Sequence, residues 1–148
     1  MEQQPLNFSL ASKEEFYEIK HFLKRHDTYS ANSSEIIYIV RSGKRPIGLA
    51  RLIAMDDCND ALWWRGLFID EAWRHKGLAT SLLNFLYKNQ IESLQIKSTI
   101  AFAEPHLKKF YQKNNYTEVT IDELPPSLKD RLESAYSQGK KWLCLMRS

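Results

Sequence analysis

The segment Leu67–Thr80 constrains this chain more than any other. Ala61–Ile69 is apolar almost without interruption, which reads as a strand buried on both faces. Asp70–Gly77 is polar and basic, with Trp73 embedded in it. Leu78, Ala79, Leu82, Leu83, Leu86 and Tyr87 then recur at helical spacing, so a helix is predicted from about 77 to 90. A buried strand, a basic loop and a helix start follow one another. Helix N-termini present unpaired backbone N–H groups and a partial positive charge. They are natural sites for phosphate. Gly77 lets backbone approach an anion, Ala79 keeps the next turn small, and Arg74 and Lys76 add charge suited to a polyphosphate. A basic loop that merely starts a helix gives the same pattern, and physics alone leaves the two readings level. Two phosphate loops are excluded. G-x-G-x-x-G is absent, and Gly66 and Gly77 are wrongly spaced for G-x-x-x-x-G-K-[ST].

The rest of the chain places this segment in an α/β frame. Leu6–Leu10 reads as a strand. Ser12 and Glu15 form a capping-box pattern that opens a helix to about Arg25, with Phe16, Ile19 and Leu23 on one face. Residues 27–34 read as loop and Ile36–Arg41 as a strand. Ser42-Gly43-Lys44 is a turn, and a second strand starts at Pro46. Asp56–Asp60 reads as another turn, with Ala61–Ile69 as the third strand of an antiparallel meander. After the central helix, the alternation of Leu94, Ile96, Ser98 and Ile100 predicts a strand to about Phe102. Strand, helix and strand in this order favour parallel pairing. A helix carrying Leu107, Phe110 and Tyr111, a strand over Tyr116–Ile121, a helix over Ser127–Tyr136 capped by Ser127 and Asp130, and a last strand over Lys140–Met146 complete the pattern. The expected class is a mixed, largely antiparallel sheet flanked by helices.

Composition excludes other classes. The 148 residues are the length of one domain, so a single domain over 1–148 is expected. No apolar run approaches the ~20 residues that span a bilayer, and Met1–Leu10 has no signal-peptide pattern, so an intracellular, cytoplasmic protein without membrane contact is expected. The net charge of +3 comes without a dense Lys/Arg stripe, so no nucleic-acid partner is expected. Cys58 and Cys144 form no CxxC and have no His at ligand spacing, so no metal site is expected. Cys144 reads as core and Cys58 as an exposed bystander. Asp56, Asp57 and Asp70 read as solvated turn residues. Trp63 and Trp64 are neighbours in a strand and point to opposite faces, one for the core and one for a cleft. Arg65 is either a carboxylate contact or a surface residue.

Arg74-His75-Lys76-Gly77-Leu78-Ala79 fits [QR]-x-x-G-x-[GA], and the wider string from Gly66 to Leu83 resembles the strand-loop-helix signature of the GNAT N-acetyltransferase superfamily. The order of elements agrees with that family across most of the chain. Phe110-Tyr111-Gln112-Lys113-Asn114-Asn115-Tyr116 resembles its later aromatic-Tyr segment. Asn115-Tyr116 stand in place of the usual Gly-Phe, and Asn tolerates a left-handed cap. Glu104 stands where many members have Asn.

The resemblance implies a GNAT-like sheet with a splayed parallel strand pair and acetyl-coenzyme A as cofactor. It implies that backbone from Arg74, His75, Lys76, Gly77, Leu78, Ala79 and Thr80 holds the pyrophosphate. Leu67, Phe68 and Ile69 would bind the pantetheine arm, with Phe68 or Ile69 donating to the thioester carbonyl. Tyr111 matches the tyrosine that protonates the departing thiolate. Glu104 is open between general base, substrate contact and surface charge, and ordered water serves as base in many members. The acceptor implied is a primary amine of a small molecule or of a peptide or protein, attacking directly. Dimers are common among such relatives, so a homodimer is compatible. The alternative is the same fold holding coenzyme A as a sensor or interaction module without turnover.

Overall fold

A computed structural model describes residues 5–25, 35–89 and 96–148, apart from the side chain of Asn59. These residues form seven strands: β1 (Leu6–Leu10), β2 (Ile36–Ser42), β3 (Arg45–Met55), β4 (Cys58–Ile69), β5 (Ser98–Ala103), β6 (Thr117–Glu118) and β7 (Leu143–Arg147). Four α-helices accompany them: α1 (Phe16–Arg25), α2 (Leu78–Asn89), α3 (Lys108–Lys113) and α4 (Pro126–Ser137). The strand order is β1-β2-β3-β4-β5-β7-β6. Pairing is antiparallel for β1 with β2, β2 with β3, β5 with β7 and β6 with β7, and parallel for β4 with β5. This is the mixed, largely antiparallel α/β sheet expected from the sequence. Among the described residues, no helix is long and apolar enough to cross a membrane.

The chain forms two compact units that interleave along the sequence. One comprises 1–53 and 65–89, the other 54–64 and 90–148. In the first unit, the expected capping box forms: the Ser12 N–H donates to Glu15 Oε1 at 2.9 Å and the Ser12 hydroxyl to the same oxygen at 3.2 Å. The carboxyl of Glu15 is held below its usual range by the Ser12 N–H and, more weakly, by Arg41. One face of α1 buries Ile19, Phe22 and Leu23 against Ile37, Ile39 and Leu49. Gly43 turns β2 into β3 at φ +61°. At Gly48, β3 leaves no room for a side chain: an added Cβ would lie 2.8 Å from Ile69 Cδ1 and 2.9 Å from Val40 Cγ1.

In the second unit, β4 and β5 pair from Ala61↔Ser98 to Trp64↔Ala101, and the ladder ends there although β5 continues to Ala103. Several boundaries differ from the sequence reading, each for a local reason. β4 starts at Cys58, so the turn before it is shorter than Asp56–Asp60. Ile96 and Lys97 precede β5 outside the strand; Leu94 and residues 27–34 lie outside the described residues. The strand expected over Tyr116–Ile121 is reduced to Thr117–Glu118, because Thr120 and Glu123 form a capping box that opens a 3-10 turn at Ile121–Glu123. The cap pair expected for α4 is also corrected. Ser127 N–H and Oγ both donate to Asp57, at 2.8 and 2.9 Å, so the turn before β4 caps this helix and Asp130 does not.

Candidate active site

The loop after β4 is built in three steps. Asp70 ends the strand: its N–H donates to the Ile47 carbonyl at 2.8 Å, and its Oδ1 accepts the Ala72 N–H at 3.0 Å. Asp70 is buried, so the expected solvated turn residue is in fact the cap of a 3-10 turn over Glu71–Trp73. Next, the Arg74 Nε–H donates to the Ile69 carbonyl at 2.9 Å, and its guanidinium lies 5.7 Å from the centre of the Phe68 ring. Finally, the backbone turns left-handed twice, at His75 (φ +64°) and Gly77 (φ +75°), and enters α2 at Leu78.

Alternating hand over successive residues turns N–H groups to one side and makes an anion-binding concavity. From His75 to Thr80, no backbone N–H finds a protein acceptor among the described residues. A Cβ placed on Gly77 would meet nothing within 4 Å, so the concavity is open in front of it. Lys76 Nζ stands 5.2 Å from the Trp73 ring centre, at the loop surface. His75, Lys76 and Thr80 are exposed, Ala79 is half-buried and Leu78 is buried. Leu67 and Phe68 are half-buried and Ile69 is buried, so the strand end offers backbone more than side chain. All ten residues expected to contact a cofactor therefore form one contiguous strand end, loop and helix start.

Glu104 and Tyr111 belong to the second unit. Glu104 follows β5, is exposed, and accepts the Trp142 indole N–H on Oε1 at 3.0 Å. Tyr111 lies on α3 and is 6% exposed, its ring edge-to-face with Phe110 at 5.3 Å and Tyr116 at 5.2 Å. Burial pushes its phenol up to about 12. α3 closes with a Schellman motif. Tyr116 N–H donates to the Tyr111 carbonyl at 3.0 Å, and Asn115 N–H donates to Gln112 at 3.1 Å. Asn115 takes φ +69°, the left-handed cap that Asn tolerates.

Two features escape sequence reading. Trp63 and Trp64 are both buried, and Trp63 lies under the guanidinium of Arg131, a residue from α4 at a separation no periodicity could reveal. Arg74, read as a source of charge, spends its Nε on the Ile69 carbonyl and braces the loop. Arg65 is exposed and has no carboxylate partner among the described residues. Cys144 is buried as expected, whereas Cys58 is half-buried with its thiol 3.4 Å from Asp60 Oδ1. Among the described residues, no three His, Cys, Asp or Glu side chains gather as metal ligands.

Comparison with known proteins bears on the fold and the family. The chain is similar to an N-acetylglutamate synthase from Neisseria gonorrhoeae, complexed with coenzyme A and N-acetyl-glutamate, with TM-score 0.68 and 14% identity over 99% of this chain. It spans only 35% of that synthase. An acetyltransferase of the GNAT family from Staphylococcus aureus Mu50 gives TM-score 0.64 at 14% identity, covering 97% of this chain and 98% of the other. The ribosomal-protein-S18-alanine N-acetyltransferase from Escherichia coli gives TM-score 0.64 at 12% identity, covering 96% and 91%. At such identities the likeness establishes the fold. No curated protein sequence matches the chain significantly. Residues 33–118 match the family model described as Acetyltransferase (GNAT) domain, which is more than half of the chain. The chain thus belongs to the GNAT acetyltransferase family.

Proposed function

We propose that this protein is an acetyl-coenzyme A-dependent N-acetyltransferase that moves an acetyl group to a primary amine of a small molecule or of a peptide or protein. The observation that carries the reading is the run of backbone N–H groups from His75 to Thr80, which find no protein acceptor among the described residues and are turned by left-handed His75 and Gly77. Such a run fits a diphosphate, and Lys76 adds charge. Acetyl-coenzyme A supplies the acetyl group as a thioester.

Strand geometry supports one of the two candidate polarising donors. Along a strand, successive N–H groups point to alternate edges. The Asp70 N–H points to β3, where it meets Ile47. The Ile69 N–H therefore points to the opposite edge, which favours Ile69 over Phe68 as donor to the thioester oxygen. The Tyr111 phenol stays protonated through neutral and mildly alkaline pH, as a proton donor to a departing thiolate requires. Glu104 keeps one carboxylate oxygen outside its bond to Trp142 and is the chain's candidate for positioning or deprotonating the amine.

The test measures thiol release from acetyl-coenzyme A against a panel of amines, amino acids, peptides and protein N-termini, beside the cofactor-induced rise in melting temperature. Turnover with any of these supports the transferase. A thermal shift without turnover assigns the chain as a coenzyme A-binding module instead. Neither signal overturns the loop assignment.

A further inference from the structure

The two edge strands of the sheet are built differently. β6 has two residues and carries the charge of Glu118. Short edge strands and charged side chains keep a sheet edge from pairing with another chain. β1 has neither device. It runs Leu6-Asn7-Phe8-Ser9-Leu10, pairs with β2 without a bulge, and no residue from Pro5 to Ser12 is charged. Among the described residues, β1 has β2 on one side and no strand on the other.

Hydrogen bonding fixes which groups β1 leaves open. The Ala11 N–H donates to the Ile37 carbonyl at 2.8 Å, and the Gly43 N–H donates to the Pro5 carbonyl at 3.0 Å. In an antiparallel pair, alternate residues exchange both bonds with the neighbouring strand. Asn7 and Ser9 therefore turn their N–H and C=O groups to β2, and Leu6, Phe8 and Leu10 turn theirs to the open edge. The side chains of these same three residues share one face. On it the Phe8 ring lies 5.8 Å from the Phe85 ring of α2, and Leu6 and Leu10 stand on either side at 42% and 38% exposure.

The pattern of the open edge is complementary to itself. Antiparallel pairing about a twofold axis at Phe8 sets Phe8 against the partner's Phe8, Leu6 against the partner's Leu10, and Asn7 against the partner's Ser9. Each outward N–H of Leu6, Phe8 and Leu10 then meets a carbonyl. Each exposed Leu meets a second Leu, and apolar cross-strand pairs stabilise a sheet. The neutral run from Pro5 to Ser12 brings no like charges face to face.

We propose that β1 is a self-association edge: two copies of this chain join β1 to β1, antiparallel and centred on Phe8. The contact uses the same patch on both copies, so it closes at a dimer. A five-residue strand is about 17 Å long, which is small beside interfaces that bury about 1,200–2,000 Å², so the dimer dissociates on dilution. The pairing is independent of the acetyl-transfer reading.

Sedimentation over a range of concentrations tests it. Wild type is expected to move from the 17.4 kDa monomer toward twice that mass as concentration rises. Leu6→Lys combined with Leu10→Lys sets like charges against each other across the axis and should weaken association at least tenfold. Leu6→Lys combined with Leu10→Glu sets opposite charges there and should recover most of it. These positions are exposed, and matching urea midpoints check that the fold is kept. Amide exchange in wild type gives a second readout. The N–H groups of Leu6, Phe8 and Leu10 should slow as concentration rises, whereas those of Asn7 and Ser9 are slow throughout. A monomer at every concentration overturns the proposal. Association that both double variants keep, or that both lose alike, overturns it too, as does a dimer in which the three edge amides exchange as fast as in the monomer.

Discussion

The carbonyl of Tyr111 accepts the N–H of Tyr116 at 3.0 Å, and the two rings meet edge to face at 5.2 Å. Backbone and ring of Tyr111 are thus committed to closing α3, whereas its hydroxyl makes no hydrogen bond among the described residues. Tyr111→Phe separates the two roles. It keeps the ring, so the urea midpoint is expected to stay near wild type. Turnover should fall about 10²-fold if the hydroxyl serves as general acid, with the affinity for acetyl-coenzyme A little changed. Wild-type turnover would assign Tyr111 to packing alone.

Alkaline stability follows from the same burial. Desolvation pushes the phenols of Tyr38 and Tyr111 and the thiol of Cys144 up to about 12. Between their ordinary values and 12, the folded chain holds protons that the unfolded chain has released. Stability is therefore intact at pH values well below about 8.5, where an unperturbed thiol is half ionised, and is lost as pH rises toward 12. Urea midpoints measured from pH 8 upward should fall steadily, and Cys144→Ala should flatten the earliest part of that fall.

Gly77 gives the sharpest test of the loop. The space before its Cα is open, so Gly77→Glu fits sterically but projects a carboxylate into the concavity. The left-handed backbone adds a cost of about 1–2 kcal/mol for a residue with a Cβ. Binding of acetyl-coenzyme A, followed by calorimetry, should weaken at least tenfold. Gly77→Asn, which tolerates this backbone without the charge, should retain most of the affinity.

At Gly48 the expected effect is read first in folding. A methyl group there would press against Ile69 Cδ1 and Val40 Cγ1 inside 3 Å. Gly48→Ala should cost about 1–3 kcal/mol by overpacking, read from urea denaturation. An unchanged midpoint would mean that β3 and the end of β4 have more room than the geometry allows.

Asp57 joins the turn before β4 to the start of α4. Its carboxyl is held below the usual range by the Ser127 N–H and then by the Ser127 hydroxyl. The ionised carboxylate therefore favours the fold above pH 3.8, and that contribution is lost as pH falls through the lowered value. Asp57→Ala should lower the urea midpoint at pH 7, and the gap to wild type should close as both are acidified.

Short-range features were legible in the sequence, and long-range ones were not. The Ser12–Glu15 box, the Gly43 turn, the start of α2 and the left-handed Asn115 each depend on residues a few positions apart. The contiguous strand, loop and helix from Leu67 to Thr80 is legible for the same reason. Asp57 with Ser127 and Trp63 with Arg131 are joined only by the fold. Local pattern therefore assigned Ser127 the wrong cap and left Trp63 without its cation. Asp70 was misread because a carboxylate in a polar stretch looks solvated, while its burial depends on the backbone of Ile47.

The bond from Arg74 to Ile69 closes a ring of covalent and hydrogen bonds around the segment between them. A loop closed in this way behaves like a macrocycle. It fixes the stem from which the His75–Thr80 run departs, so part of the ordering that an anion would demand is already spent when the chain folds. Cutting the ring with Arg74→Met should therefore slow and weaken anion capture while leaving every N–H of the loop in place.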